Sequence, residues 1–308
     1  MKKNPWLMLA VLLLVFVSLF AFMMGSSVIS LFGGEDRVRI LHQNSILHLK
    51  LDGVIVDGDK FLKALKKYRE EDDIKAVVVE IDSPGGVVGP SQEIFEELKK
   101  TRTEFKKPVV AVSPGLMASG AYYSAVAADK IIVAPGALVG SIGVIMEFAN
   151  LERLYDWAKI SRYTITTGKY KDSGAEYREM REDERKLFQE LINEVWGQFK
   201  EAVAEGRNLS PEEVEPYADG RVFTGATAVK LKFADEVGTV DHAFDVAAEL
   251  AKIDDFEIFE IPKGRPNILE LLTTEEPESK MVSEVMNKVL RADLINRPLL
   301  LMPGFWAR

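Results

Sequence analysis

The chain has 308 residues, 47% of them hydrophobic, and a formal charge of −9. That apolar content supports a sizeable core and excludes a disordered polymer, and the acidic balance argues against nucleic acid as a partner. With no cysteine in the sequence, disulfides, thiolate-bound zinc and a thiol nucleophile are all excluded.

Residues 6–24 are apolar except for Ser18. At about 1.5 Å per residue this run is long enough to cross a hydrocarbon core of about 30 Å. Lys2 and Lys3 precede it and Glu35 and Asp36 follow it, which sets the N-terminus in the cytoplasm and the rest of the chain outside. A cleaved signal peptide shares the basic start and the apolar run. No clear small-x-small cleavage site follows Phe22, Met23 and Met24, however, and a retained anchor is the expectation. The predicted organisation is a cytoplasmic tip and transmembrane anchor over 1–24, a juxtamembrane linker over 25–44, a folded domain over 45–262 and a C-terminal extension over 263–308.

Past the linker, Ile46, Leu47, Leu49, Leu51, Val54 and Val56 outline a strand pair or one bent strand, followed by a Lys-rich helix over 61–68. Residues 76–81 are apolar except for Glu80, the signature of a strand covered on both faces. A helix over 91–103 leads to a second such strand at 109–112. Next come a small-residue helix over 118–128, a strand at 131–134 and a Gly-rich stretch through Gly143. A strand-like piece at 163–166 precedes a long charged helix over 182–205, which Arg207-Asn208-Leu209-Ser210-Pro211 stops before capping a new one. Alternating strands and helices specify an α/β fold.

Two turns have the composition for chemistry. Asp82-Ser83-Pro84-Gly85-Gly86 follows a buried strand, at the end where α/β folds bind ligands. Its glycines allow close backbone approach and leave N–H groups facing a cleft, although the same residues also make an ordinary tight turn. Met117-Ala118-Ser119-Gly120-Ala121 sets a serine at a helix start among tiny neighbours, where it either simply caps the helix or acts as a nucleophile. A hydroxyl needs a base for the second role. His42, His48 and His242 lie away from these turns and read as surface or edge residues. A lysine serves as base only if burial lowers it from its ordinary ~10.4. The loop from Thr166 to Gly174 holds Lys169 and Lys171, each of which, by itself, reads as a solvated side chain.

Five segments in order resemble one family: Asp82-Ser83-Pro84-Gly85-Gly86, Met117 to Tyr123, Gly140-Ser141-Ile142-Gly143-Val144, Gly168-Lys169-Tyr170-Lys171-Asp172 and Gly220-Arg221-Val222-Phe223-Thr224-Gly225. Together they resemble the signal peptide peptidase A family in its short, single-domain form. The resemblance implies a ClpP/crotonase-like β-α spiral, with Ser119 as nucleophile and Lys171 as general base, Lys169 being the neighbour to exclude. It further implies that Ser141 orients the lysine amine, that the Gly86 and Gly120 N–H groups form the oxyanion hole, and that no metal or organic cofactor is needed. The family's Ser-Gly-Gly reads Ser119-Gly120-Ala121 here, a departure of one methyl group.

By the same resemblance the protein would form a ring of eight with each site shared between adjacent subunits. It would cut signal peptides and other apolar peptides on the extracytoplasmic side of the cell membrane. Two other readings use the same features: a crotonase-fold acyl-CoA enzyme, which the outward topology disfavours because acyl-CoA is cytoplasmic, and a noncatalytic membrane scaffold that binds peptides. The chain end is apolar from Pro298 to Trp306. That tail either packs on the domain or membrane surface, or lies in a substrate groove as a product-like peptide.

Overall fold

The computed structural model describes residues 41–261 and 298–302. In chain order the elements are β1 (Ser45–Asp52), α1 (Asp59–Tyr68), β2 (Ile74–Asp82), β3 (Gly85–Val87), α2 (Val88–Thr103), β4 (Val109–Ser113), β5 (Leu116–Ala118), α3 (Gly120–Ala125), β6 (Lys130–Val133) and β7 (Leu138–Gly140). They continue through α4 (Glu152–Ala158), α5 (Glu182–Arg207), α6 (Pro211–Val214), β8 (Val222–Thr224), α7 (Gly225–Lys230), β9 (Glu236–Val237), α8 (Val240–Ala251), β10 (Glu257–Glu260) and β11 (Leu299–Leu301).

Six of the strands form one wholly parallel sheet in the order β10-β1-β2-β4-β6-β9. Because side chains alternate along a strand, each central strand feeds two cores. Ile46, Ala76, Val78, Val110, Val112 and Ile132 face α8, meeting Ala243, Phe244 and Ala247. Their neighbours Leu47, Val77, Val79, Val109, Ala111 and Ile131 face the larger core, filled by Leu62 and Leu65 of α1, Ile94 and Leu98 of α2, Tyr122 of α3 and Phe199 of α5. The apolar runs of β2 and β4 are thus explained by burial on both sides. The observed architecture is α/β with a parallel sheet.

Glu80, the polar exception in β2, accepts from the Lys50 amine and from His48 Nε2, each at 2.9 Å. Burial pushes its carboxyl up, but Lys50 and His48 outweigh that and hold it below the usual carboxylate range. His48 is therefore not the surface or edge residue the sequence suggested. It is buried on β1, between β10 and β2, with its ring edge-on to Phe244.

Two predicted elements differ. The small-residue helix over 118–128 is interrupted: Leu116–Ala118 is a strand, and the helix runs only from Gly120 to Ala125 because Ser119 adopts φ 54° and ψ −120°, which breaks either repeat. Residues 163–166 have strand composition but form no strand, since Tyr163 and Ile165 stand 90% and 100% exposed with no neighbouring edge to pair with. The stop after α5 is as read from the sequence, with Asn208 left-handed and Ser210 accepting from the Glu213 N–H. The apolar run over 6–24 lies outside the described residues; among those described, no helix is long and apolar enough to cross a membrane.

Candidate active site

The turn after β2 places a three-residue strand, Gly85–Val87, at the edge of a groove. On one side it meets Ile55, whose N–H donates to the Gly85 carbonyl at 2.9 Å and whose carbonyl accepts from the Val87 N–H at 2.8 Å. In an extended strand successive N–H groups point to opposite sides. The Gly86 N–H therefore faces away from Ile55, into the groove. Glycine is required at Gly86, because a β-carbon there would fall 2.0 Å from the Ile55 carbonyl oxygen.

Opposite this strand lies Ser119. Its N–H donates to the Gly140 carbonyl at 2.7 Å, and its φ of 54° lies where non-glycine residues pay about 1–3 kcal/mol. Ser119 is 1% exposed, and its hydroxyl caps nothing: Oγ has no hydrogen-bond partner among the described residues. A buried, unpartnered hydroxyl costs about 1–3 kcal/mol, so the capping role that the sequence left open does not account for it. Strain and an unmet hydrogen bond coincide at one serine.

The groove between them is filled by the chain's own tail. Leu299–Leu301 pairs antiparallel with Gly85–Val87 in the register Leu299↔Val87, Leu300↔Gly86 and Leu301↔Gly85. Its other edge is bound by Ile145, which exchanges two backbone hydrogen bonds with Leu299 at 2.9 and 3.0 Å, and the Met302 N–H donates to the Pro84 carbonyl at 2.9 Å. Leu299 and Leu301 pack with Val54, Val56, Val87 and Ile145, while Leu300 points the other way into the main core. Leu299–Leu301 thus packs on the domain along the edge of Gly85–Val87.

The carbonyl of Leu300 is the informative atom. A β-carbon at Gly85, itself at φ 94°, would lie 2.1 Å from that oxygen and 2.6 Å from the Gly120 nitrogen. One at Gly120 would lie 3.1 Å from the same oxygen and 3.2 Å from the Gly86 nitrogen. A peptide carbonyl thus sits where the Gly86 and Gly120 backbone nitrogens converge, beside a strained serine. Ser91 completes the floor, since its Oγ would be 2.4 Å from a β-carbon at Gly120.

Ser141 belongs to the same place. Ala118 and Gly140 are paired across β5 and β7, so Ser119 and Ser141 leave the two strands side by side, both at φ 54° and both buried. Lys171 does not join them within this chain. It is exposed on a loop before α5, and among the described residues its amine has no partner. Lys169 differs: its amine pairs with Asp183 at 2.6 Å, and that bond raises its pKa.

A cavity of about 720 Å³ lies not at Ser119 but near the Lys171 loop, lined by Phe148, Gly174, Arg178, Met180, Phe188 and Ile192 among others. The groove itself is closed by β11. Sequence reasoning missed Ile145 and Ile55, the two flanking edges, because each is a single bridging residue with no pattern of its own.

The profile of peptidase family S49 matches residues 101–254. A Synechocystis candidate protease is 40% identical over 238 residues, covering 77% of this chain and 81% of that protein. An Enterococcus faecium protein named as a candidate signal peptide peptidase is 31% identical over 228 residues, covering 70% and 66%. The chloroplastic serine protease SPPA of Arabidopsis thaliana is 31% identical over 231 residues, covering 73% and 34%. The match spans Ser119, Ser141 and Lys171, and the groove geometry suits a peptide in extended form: the chain belongs to peptidase family S49 and is a serine peptidase.

Proposed function

We propose that this peptidase works with a Ser119/Lys171 dyad. The observation that carries the reading is the convergence of an unpartnered, strained Ser119 hydroxyl with a peptide carbonyl held between Gly86 and Gly120. Ser119 Oγ attacks the carbonyl carbon, and the neutral Lys171 amine takes its proton and returns it to the leaving amine; water then hydrolyses the acyl-enzyme with the same amine as base. The N–H groups of Gly86 and Gly120 stabilise the oxyanion, the largest single contribution in this chemistry. Ser141 orients the amine. The ion pair of Lys169 with Asp183 supports Lys171 as the base, since a base must be an uncharged amine.

The lysine reaches the serine from a neighbouring subunit of a ring, which we take as an octamer by resemblance. Supporting this, the arm that bears Lys171 exposes Leu154, Trp157, Ile160, Tyr163 and Ile165, apolar surface that a partner would cover. The substrate adds as a strand to Gly85–Val87, and three buried leucines in that position support a preference for apolar peptides, remnant signal peptides among them. The run over 6–24 anchors the protein as a single-pass membrane protein with the peptidase domain outside the cytoplasm. The β-α arrangement of the site is that of the ClpP/crotonase class. Occupied by its own tail, the groove is held in a product-like, self-inhibited form.

A fluorophosphonate serine probe tests the assignment. Wild type labels at Ser119 by peptide mass spectrometry, Ser119→Ala does not label, and Lys171→Ala labels far more slowly with an unchanged circular dichroism spectrum. Equal labelling of Ser119→Ala and wild type would move the nucleophile elsewhere.

A further inference from the structure

Around Lys171 the loop stands out from the core: Gly168, Lys169, Tyr170 and Lys171 are all exposed. It is held by charge instead. On the C-terminal side of the lysine, Arg178 donates through Nε and a terminal nitrogen to the Asp172 side chain and backbone carbonyl, at 3.2 and 2.9 Å. On the other side, an Arg181 terminal nitrogen donates to the Lys169 carbonyl at 2.7 Å, while the Lys169 amine is tied to Asp183 at 2.6 Å. Lys169 and Asp172 are thus each held at more than one point, and among the described residues the Lys171 amine between them has no partner.

Both arginines converge on Glu184, whose side chain is fully buried. Its Oε1 accepts from Arg178 at 2.6 Å and from Arg181 at 2.7 Å; its Oε2 accepts from Arg178 and from the Arg181 backbone N–H, both at 2.9 Å. Two oxygens with four donors make a saturated carboxylate, the condition under which a buried charge is stable and geometrically fixed. Glu184 also lies in the first turn of α5, whose far end packs Phe199 and Val203 into the core. A rigid helix is thereby tied to an exposed loop through one buried ion.

We propose that Arg178 and Glu184 are positioning residues for Lys171, setting the loop so that its amine reaches Ser119. This rests on Lys171 being the general base. An interaction that only fixes the geometry of a reacting group acts on kcat, and a misplacement of about 1 Å can cost about 10²-fold.

The test uses the full-length enzyme in detergent with a chromogenic peptide. Glu184→Gln keeps the shape and removes the charge, Arg178→Lys keeps the charge and removes the two-pronged contact, and Asp172→Asn is a milder change if either fails to fold. The control is Arg207→Lys, which weakens a largely buried pair with Asp235, 2.8 Å long and remote in sequence from the loop. Expected is a kcat lowered about 10- to 100-fold in Glu184→Gln and Arg178→Lys, about 3- to 10-fold in Asp172→Asn, with KM within twofold of wild type. Arg207→Lys, at a comparable loss of Tm, retains kcat. Wild-type kcat in folded Glu184→Gln or Asp172→Asn overturns the positioning role, as does an equal fall of kcat in Arg207→Lys. Lys171→Ala run alongside separates the two failures: if it retains full activity the base assignment falls, and if it is inactive while the other variants are normal only the positioning role falls.

Discussion

The groove at Ser119 and the arm bearing Lys171 are built by different physics. Around the serine everything is buried, and the geometry is set by contacts so tight that a single methyl group has no room at Gly85, Gly86 or Gly120. Around the lysine almost nothing is buried, and an ionic cluster does what packing does elsewhere. The contrast teaches that the Ser119 half of the proposed site is fixed as the core folds, whereas the Lys171 half is a surface structure completed by charge and by whatever covers its exposed aromatic and aliphatic side chains.

If that division is right, the groove breaks at its glycines. Gly86→Ala must push the Ile55 carbonyl away and Gly120→Ala must displace Ser91, so each is expected to lower kcat about 10²- to 10³-fold, the loss typical of one oxyanion donor. The two are separable. Ser91 Oγ is a side-chain atom, so Ser91→Ala added to Gly120→Ala should recover part of the lost Tm, while no such partner exists for Gly86, whose obstacle is backbone. Steady-state kinetics and differential scanning calorimetry on the three variants check this.

The next effect is smaller and concerns what occupies the groove. Burying each leucine of the tail contributes about 1.5–3 kcal/mol, against about 1–2 kcal/mol per residue to order the chain, so the net hold is modest and substrate can displace it. Deleting residues 298–308 should lower the apparent KM for a peptide about tenfold with kcat unchanged, as removal of a tethered competitor does. An unchanged KM would leave the tail a packing role only.

Much of the groove was legible because it is local. Pro84-Gly85-Gly86 and Ser119-Gly120 announce tight turns, and the double-sided apolar runs of β2 and β4 place those turns at strand ends. What the sequence did not reveal is long-range or isolated. The strand at Leu116–Ala118 is too short for periodicity, the backbone strain at Ser119 leaves no mark in composition, and the two backbone hydrogen bonds by which Ile145 holds the tail leave no mark in its side chain. The positioning cluster was hidden for a different reason. Glu184 sits in an acidic helix start with Glu182 and Asp183, and nothing in the sequence marks it as the fully buried one of the three.

Acid gives the smallest contrast and sharpens the comparison on the arm's side. Arg178 and Arg181 hold the Glu184 carboxyl down to about 2, against ~4.3 for an ordinary glutamate. A depressed carboxyl contributes stability that is fully present above the ordinary value and is lost as pH falls through the folded one. Between pH 5 and pH 2 the arm should therefore loosen before the groove does. Hydrogen exchange, corrected for intrinsic rates, should rise first in peptides spanning 168–185 while those spanning 83–91 and 117–125 stay protected; Glu184→Gln should already show the loosened arm at neutral pH.

The central claim is that the two halves meet between subunits, and co-assembly of the two inactive variants tests it most directly. Ser119→Ala and Lys171→Ala are co-expressed with distinguishable tags, and native mass spectrometry verifies that both occur in the same oligomers. In a head-to-tail ring, a junction works when a subunit with intact Ser119 meets a neighbour with intact Lys171, so equal mixing should restore about a quarter of wild-type hydrolysis. No recovered activity in verified mixed oligomers would place serine and lysine in one chain and contradict the shared site.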